Sequence, residues 1–474
     1  MASKGLSLGT LVLVVVWGAT NFAIFPKGVL DFGFSPDYLK IASDTVQFGG
    51  YSVRLPNYLS RPGISQLPPE VQVVASTKTQ VISEVQREPM YPFALILVRW
   101  VTGSFGDIIW LQLACLLISV YLWGMFALLR FGWQAAATFL VLMFLSTVPQ
   151  FYISVLYPYA FQFLFVTAGA LLLIRGVERQ QLVYYILAGV CLGGAAYERN
   201  AYLLLPAALF AILFVLAGRL RIRRRHLFLF VLSASVAVAP WLARDLRLGV
   251  LGMNQMTGYT LGYTYGDLVE PSESPLVRSY TSLLRCCGRD PGTLYFIEAH
   301  VLDGSGTFSQ VDRQVAQLVL RGMIAHPDVV LGRILAGMIA FPSRLGTLDL
   351  RKYQSGAFKD PVVFYQTFEM GGYPSALDLL IVVLAVRGLS TGVSRFGSDA
   401  VIICTILLYS LFVFTTVVNF DPRYRGALDP MLYAFAGKGV GELLGYLGSA
   451  RSRSRVLIAD AMGAKGGARH DVGK

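Results

Sequence analysis

Five short stretches in a largely apolar chain combine charged residues with others of a type that can move a proton or bind an anion. The first, "SPDYLKIASDTVQFGGYSV" (35–53), has Tyr38, Ile41, Ala42 and Thr45 at helical spacing and a Gly49-Gly50 stop. Asp37 and Asp44 stand seven apart and so share a helix face; such a carboxylate is a general base, a metal ligand or a solvated surface charge. In "REPMYPF" (87–93), Pro89 and Pro92 make a rigid lead-in to an apolar helix, and Tyr91 suits a membrane interface. Arg87 and Glu88 beside them either pair with each other or hold a ligand. "AAYERNAY" (195–202) sets Glu198 and Arg199 at a turn between apolar runs, as an ion pair or a functional pair. "APWLARDLRLG" (239–249) offers Arg244 and Arg247 on one face, with Asp245 and the belt residue Trp241. In "NFDPRYRGALDP" (419–430), Arg423 and Arg425 either pair with Asp421 or Asp429 or grip a phosphate through paired hydrogen bonds.

The elements that must position these residues follow from composition. The 474 residues are 55% apolar and only 14% charged, about half the charge of an ordinary soluble protein. That excludes a typical cytosolic enzyme, a disordered tail and a fibrous repeat. Uncharged runs such as 11–17, 135–145, 207–217 and 401–414 extend toward the length that crosses a bilayer. The net charge of +12 gathers in short connections, notably Arg219, Arg221, Arg223, Arg224 and Arg225, and in a basic tail. Basic residues beside spans mark the cytoplasmic side rather than a nucleic-acid surface. Cys115, Cys191 and Cys404 lie in apolar runs, and adjacent Cys286 and Cys287 form neither a metal spacing nor a disulfide framework.

Spans are expected at about 7–25, 107–129, 133–149, 157–174, 183–198, 201–218, 227–243, 375–389, 399–418 and 428–447. The class is an all-α polytopic membrane protein of about ten transmembrane helices. With the cluster at 219–225 inside, both termini fall in the cytoplasm. Segments 91–102 and 328–341 are short and interrupted by Arg99 and Arg333, and read as helices lying at the outer interface. The organisation is a first helix (1–25), an outer loop with the candidate acid (26–106), helices two to seven (107–243), a second outer region (244–374), helices eight to ten (375–447) and a basic cytoplasmic tail (448–474). Chemistry belongs in the two outer regions, which form a smaller extracytoplasmic loop domain. The stretch "MNQMTGYTLGYTYG" (253–266) reads there as a flexible, hydroxyl-bearing binding loop.

In this order the motifs resemble the GT-C class of integral-membrane glycosyltransferases, in particular bacterial relatives of protein O-mannosyltransferases and aminoarabinose transferases. An acidic motif leads into a Tyr-bearing helix after span one. Arg87, Pro89, Tyr91 and Pro92 match an Arg-x-Pro-x-Tyr-Pro lead-in, and Pro240, Trp241 and Arg244 a Pro-Trp-x-x-Arg close. A Gly-rich loop is matched by 258–266, an Arg-Tyr-Arg turn by Arg423, Tyr424 and Arg425, and "HPDVVLGRILAGMIAF" is similar to the family's outer helix. The resemblance implies transfer of a sugar from a polyprenyl-phosphate donor to an acceptor hydroxyl at the extracytoplasmic face of a bacterial inner membrane. It implies Asp37 as base, Arg423, Arg425 and Arg244 on the donor phosphate, and Tyr38, Arg87, Glu88, Tyr91, Glu198, Arg199 and Tyr424 as further substrate contacts. The partners implied are that lipid-linked donor, a glycan, lipid or protein acceptor, and the bilayer. Two positions depart from the pattern. The usual acid position is Phe34, one helical turn from Asp37, and the fourth span opens "SVLYPYAF" without an acid. A divalent metal, Mg or Mn, is therefore left open as cofactor, with no metal ligand assigned. The alternatives are a noncatalytic subunit or a lipid-linked glycan flippase on the same scaffold, and an O-antigen ligase or polymerase. A flippase calls for polar groups at mid-bilayer, where these spans are nearly charge-free; a ligase or polymerase lacks the Arg-x-Pro-x-Tyr-Pro lead-in.

Overall fold

Backbone N–H and C=O groups in lipid have no water to bond, so uncharged runs must close their own hydrogen bonds as helices. The computed structural model follows that rule among its described residues. It describes residues 9–16, 35–56, 69–83, 87–146, 158–250, 256–340 without 273 and 288, 376–416 without 395 and 396, and 427–447. The chain is a multi-pass membrane protein. Among the described residues five helices are long and apolar enough to cross a bilayer: Phe105–Phe131, Tyr159–Arg179, Arg224–Arg247, Leu377–Ser394 and Ser398–Thr416. Shorter apolar helices occupy Met90–Thr102, Trp133–Leu145, Leu182–Glu198 and Asn200–Val215. Residues 9–16 and 429–447 are also helical, so a helix stands at every expected span, although much of the first lies outside the described residues.

In chain order the elements are α1 (9–16), α2 (Ser35–Phe48), β1 (Ser52–Leu55), α3 (Pro69–Thr77), β2 (Gln80–Ser83), α4 (Met90–Thr102), α5 (Ile108–Phe131), α6 (Trp133–Leu145), α7 (Tyr159–Arg179), α8 (Leu182–Glu198), α9 (Leu205–Val215) and α10 (Arg224–Arg247). Then come α11 (Thr257–Tyr265), α12 (Pro275–Cys287), α13 (Arg289–Leu302), α14 (Phe308–Ala325), α15 (Pro327–Ala340), α16 (Ala376–Ser394), α17 (Ser398–Thr416) and α18 (429–447). The strands pair antiparallel with Val53 opposite Ile82, a small addition to an otherwise helical fold. The two segments expected to lie along the interface are the helices α4 and α15. Gly103, with φ +85°, stops α4 in the left-handed region open to glycine, and α15 bends 98° away from α14.

Two cores result. One joins the apolar helices around Trp123, Phe139, Phe163, Leu192 and Leu209. The other joins α11–α14 to the first loop through Ile41, Tyr51, Val53 and Leu55, so the two long inter-span regions meet. Two expectations are corrected there. Residues 257–265 form a helix rather than a flexible loop: Asp312 accepts from the backbone N–H of Gly258 and Tyr259, both at 2.9 Å. Gly258 lies against the Asp312 carbonyl, where a Cβ would come within 1.9 Å, so this glycine serves close packing. Cys286 and Cys287, for which a strained bridge between adjacent cysteines is the less favoured reading of the sequence, are joined to each other at the end of α12.

Helices α8 and α10 cross at their glycines. A Cβ at Gly189 would sit 2.2 Å from the Phe230 carbonyl oxygen, and one at Gly193 would sit 2.9 Å from that of Ala234. Four-residue glycine spacing lets two backbones touch in a membrane, where dispersion rather than the hydrophobic effect joins helices. Gly189→Ala should therefore cost about 1–3 kcal/mol, as overpacked cores do. Gly218→Ala, at a position with open space around it, should be neutral. Thermal unfolding of the purified protein in detergent checks this; equal melting of the two variants would show that the crossing is not tight.

Candidate functional site

Asp37 lies in the first turn of α2 and is fully buried. Its Oδ2 takes a 3.1 Å ion pair from Nη2 of Arg87, fifty residues along the chain and itself buried. What brings the two together is the return of the chain through β1 and β2. Gly49 and Gly50, with φ +73° and +67°, turn the chain out of α2. Asp44 then anchors β1 onto α2 by accepting from the Arg54 N–H at 2.7 Å. The two acids on that helix face thus act differently, since Asp44 ties backbone whereas Asp37 faces a guanidinium.

Arg87 does not pair with its neighbour Glu88. The Glu88 carboxylate reaches the turn after α8 instead, where Oε1 accepts from the Asn200 N–H at 3.0 Å. Glu198 ends α8, is 1% exposed, and neither of its oxygens has a hydrogen-bond partner among the described residues. Glu198 and Arg199 are not an ion pair: Arg199 Nη2 donates to the Tyr159 hydroxyl at 2.7 Å, with the guanidinium over that ring. A buried carboxylate with unused acceptors is a costly arrangement that invites a ligand donor.

Aromatic rings wall the cluster. Tyr38 and Tyr91 meet edge to face at 5.2 Å, Tyr91 continues to Phe161, and the Tyr91 hydroxyl donates to Gln112 Oε1 at 2.5 Å. The Arg87 guanidinium lies over the Tyr38 ring at 5.8 Å. Arg244 joins from α10. It pairs with buried Asp245, donates to the Tyr51 carbonyl at 3.3 Å and stacks on Trp241 at 4.4 Å. Tyr51 in turn donates its hydroxyl to the carbonyls of Arg87 and Glu88 at 3.2 and 3.1 Å.

The structure therefore brings Asp37, Tyr38, Arg87, Glu88, Tyr91, Glu198, Arg199 and Arg244 into one polar cluster at an end of the apolar bundle. Arg423, Tyr424 and Arg425 lie outside the described residues. Sequence reasoning missed Tyr51, Gln112, Tyr159 and Asn200 as members. Asn200 sits beside Glu198-Arg199 and Tyr51 directly follows the double glycine, but Gln112 and Tyr159 stand in apolar runs with no local signal. Among the described residues no group of three or more His, Cys, Asp or Glu side chains is placed to hold a metal ion. The nearest carboxylates are Asp37, turned to Arg87, Glu88, turned to a backbone N–H, and Glu198.

The profile of the family described as dolichyl-phosphate-mannose-protein mannosyltransferase matches residues 86–243, which begin just before Arg87 and stop just short of Arg244. The fold is like that of the GT-C class. The oligosaccharyltransferase of Archaeoglobus fulgidus, tethered to an acceptor peptide, matches with a TM-score of 0.50 at 12% identity, over 95% of this chain and 51% of that one. The same archaeal enzyme with an inhibitory peptide and a dolichol-phosphate gives 0.47 at 14%, over 96% and 52%. ArnT of Cupriavidus metallidurans, bound to undecaprenyl phosphate, gives 0.36 at 11%, over 93% and 78%. The chain spans about half the length of the archaeal structures it matches. No curated protein matches in sequence.

Breaking a buried ion pair strands a charge in a poorly solvating interior and costs about 3–5 kcal/mol, whereas removing both charges costs much less. Asp37→Asn and Arg87→Gln should each lower the unfolding temperature, and the double variant should recover a large part of the loss. Strictly additive effects in this double-mutant cycle would show that the two side chains are not coupled.

Proposed function

We propose that this chain is a membrane glycosyltransferase that moves a sugar from a polyprenyl-phosphate donor to an acceptor hydroxyl. The observation that carries this reading is the convergence of six charged side chains, Asp37, Arg87, Glu88, Glu198, Arg199 and Arg244, on one buried end of an apolar bundle. That supports chemistry on a polar headgroup at the membrane boundary, with the lipid tail left among the helices. The match of residues 86–243 to a mannosyltransferase family supports the reaction class. The active end faces away from the cytoplasm of a bacterial inner membrane, with both termini inside; the regions 26–106 and 244–374 build the site above the helices. The positive clusters at 219–225 and in the tail support that orientation.

In this reading the acceptor oxygen attacks the anomeric carbon, whose bond to the phosphate oxygen breaks, and polyprenyl phosphate departs with the bonding pair. Asp37 accepts the proton that the acceptor hydroxyl gives up. Arg244, Arg423 and Arg425 bind the donor phosphate and stabilise its charge as it leaves. Tyr38, Tyr91 and Tyr424 border the sugar, and Glu88, Glu198 and Arg199 contact its hydroxyls or the acceptor. Glu198 suits such a contact because its buried oxygens are unused. Transport through the bilayer is less well supported, since the charged groups gather at one end rather than along a mid-membrane path.

Asp37→Asn, assayed in membranes below its lowered unfolding temperature, should abolish transfer from polyprenyl-phosphate sugar; near-normal turnover removes Asp37 as base. Arg423→Ala and Arg425→Ala should each weaken donor binding about tenfold or more, because a charge-assisted phosphate contact is worth roughly 1.5–3 kcal/mol. Acceptor affinity should hardly move in either variant, and equal weakening of both substrates would point to a scaffolding role.

A further inference from the structure

The turn between α9 and α10 gathers five arginines, Arg219, Arg221, Arg223, Arg224 and Arg225, that the cluster at Asp37 does not use. On α10, Arg224 stands twenty residues before Arg244, about 30 Å at the helical rise, so this turn meets the opposite face of the membrane. The turn is pinned at two points. Ile222 is buried and its N–H donates to the Ala217 carbonyl at 2.8 Å, while the Arg223 N–H donates to Gln180 Oε1 at 3.3 Å. All five arginines are exposed. Among the described residues no carboxylate pairs with Arg221, Arg223, Arg224 or Arg225. The acid nearest to Gln180 along the chain, Glu178, is held by Arg130 at 2.5 Å.

We infer that this turn binds one anionic phospholipid, its phosphate among Arg223, Arg224 and Arg225 and an acyl chain along α9 and α10. The charges select an anion. Arg223, Arg224 and Arg225 open α10, with no acid in its first turn and no side-chain cap. Cations there oppose the helix dipole, and the first N–H groups are left without a side-chain acceptor. A phosphate answers both. The surface beneath makes that anion a lipid. The Arg224 guanidinium lies over the Phe214 ring at 4.8 Å, and Phe210, Phe214 and Phe228 pack with centroids 5.2 to 6.0 Å apart. Arg224, Phe228 and Leu232 recur every four residues, so one face of α10 leads from cation into apolar wall. Phe228 is 56% exposed, Leu232 55% and, on α9, Val215 80%, a surface suited to acyl chains. Seat and wall are thus joined by direct ring contacts. The assignment rests on the membrane character of the chain and not on the transfer reaction.

Native mass spectrometry of the full chain in detergent, titrated with phosphatidylglycerol or with phosphatidylcholine of the same acyl chains, tests it. One phosphatidylglycerol should bind at least about tenfold more tightly than phosphatidylcholine, the scale of one charge-assisted phosphate contact. Arg223→Gln, Arg224→Gln and Arg225→Gln together should erase that preference. Lysine at the same three positions keeps the charge that orients the spans and should keep part of the preference. Phe214→Leu, which alters no charge, should lower it about two- to fivefold, the scale of an exposed cation–π contact. A charge-matched control, Arg278→Gln, Arg285→Gln and Arg321→Gln on α12 and α14, should leave it intact. Equal binding of the two lipids, the same loss in the control as in the first triple variant, or an unchanged preference in Phe214→Leu overturns the assignment. So does displacement of bound phosphatidylglycerol by equimolar inorganic phosphate, which would make this a seat for a soluble anion.

Discussion

A buried ion pair between Asp37 and Arg87 fastens the first loop to the helical bundle, and the rest of the polar cluster is arranged around it. In an interior that solvates charge poorly, such a pair depends on how firmly its partners are held in place. The surrounding structure holds the backbone beside the pair in layers. Tyr51 holds the backbone on which Arg87 and Glu88 stand, and Arg244 holds Tyr51 through its carbonyl. Trp241, Tyr51 and Phe93 pack against one another, so the polar links are backed by an aromatic wall. The position of a carboxylate at the head of α2 thus depends on a residue of α10 some two hundred positions away.

The bundle supplies the rigidity that this arrangement requires. Helices α7, α8 and α10 pack through small residues, with Gly169 against Leu192 and Gly189 and Gly193 against the backbone of α10. Close backbone contact leaves little room for helices to rotate, which sets the heights of Tyr159, Glu198 and Trp241 relative to one another. Trp123 Nε1 donating to Thr167 at 3.0 Å ties α5 to α7 in the same core. Rigid elements hold a chemical group more accurately than loops do. Here α2, which carries Asp37, is referred back to those helices through Tyr38, Tyr91 and Gln112.

Much was legible in the linear chain. Low charge and long uncharged runs specify a membrane bundle, because a bilayer admits few other ways of satisfying a backbone. The same scarcity singles out the charged residues that no span or anchor explains, and Asp37, Arg87, Glu88, Glu198, Arg199 and Arg244 all come from that short list. Less legible were polar residues inside apolar runs. Gln112 and Tyr159 look like ordinary span residues until a partner from another helix is placed beside them. Glycines were ambiguous for a related reason: at 257–265 they read as flexibility but serve close packing in a helix, since what a missing Cβ permits depends on the neighbour.

Sequence alone determined the class, the helices and the roster of unexplained charges, all of which follow from local hydropathy and composition. Only tertiary structure decided who pairs with whom. Neighbouring Arg87 and Glu88, or Glu198 and Arg199, have every opportunity to pair locally, yet each guanidinium turns to a partner remote in sequence. Asp37 and Asp44 share one helix face but differ in what they hold, one meeting a guanidinium and the other a strand N–H. The physical reason is that electrostatic and hydrogen-bond energies depend on burial and on distance in space. Neither quantity exists until the helices pack and the loops between them close.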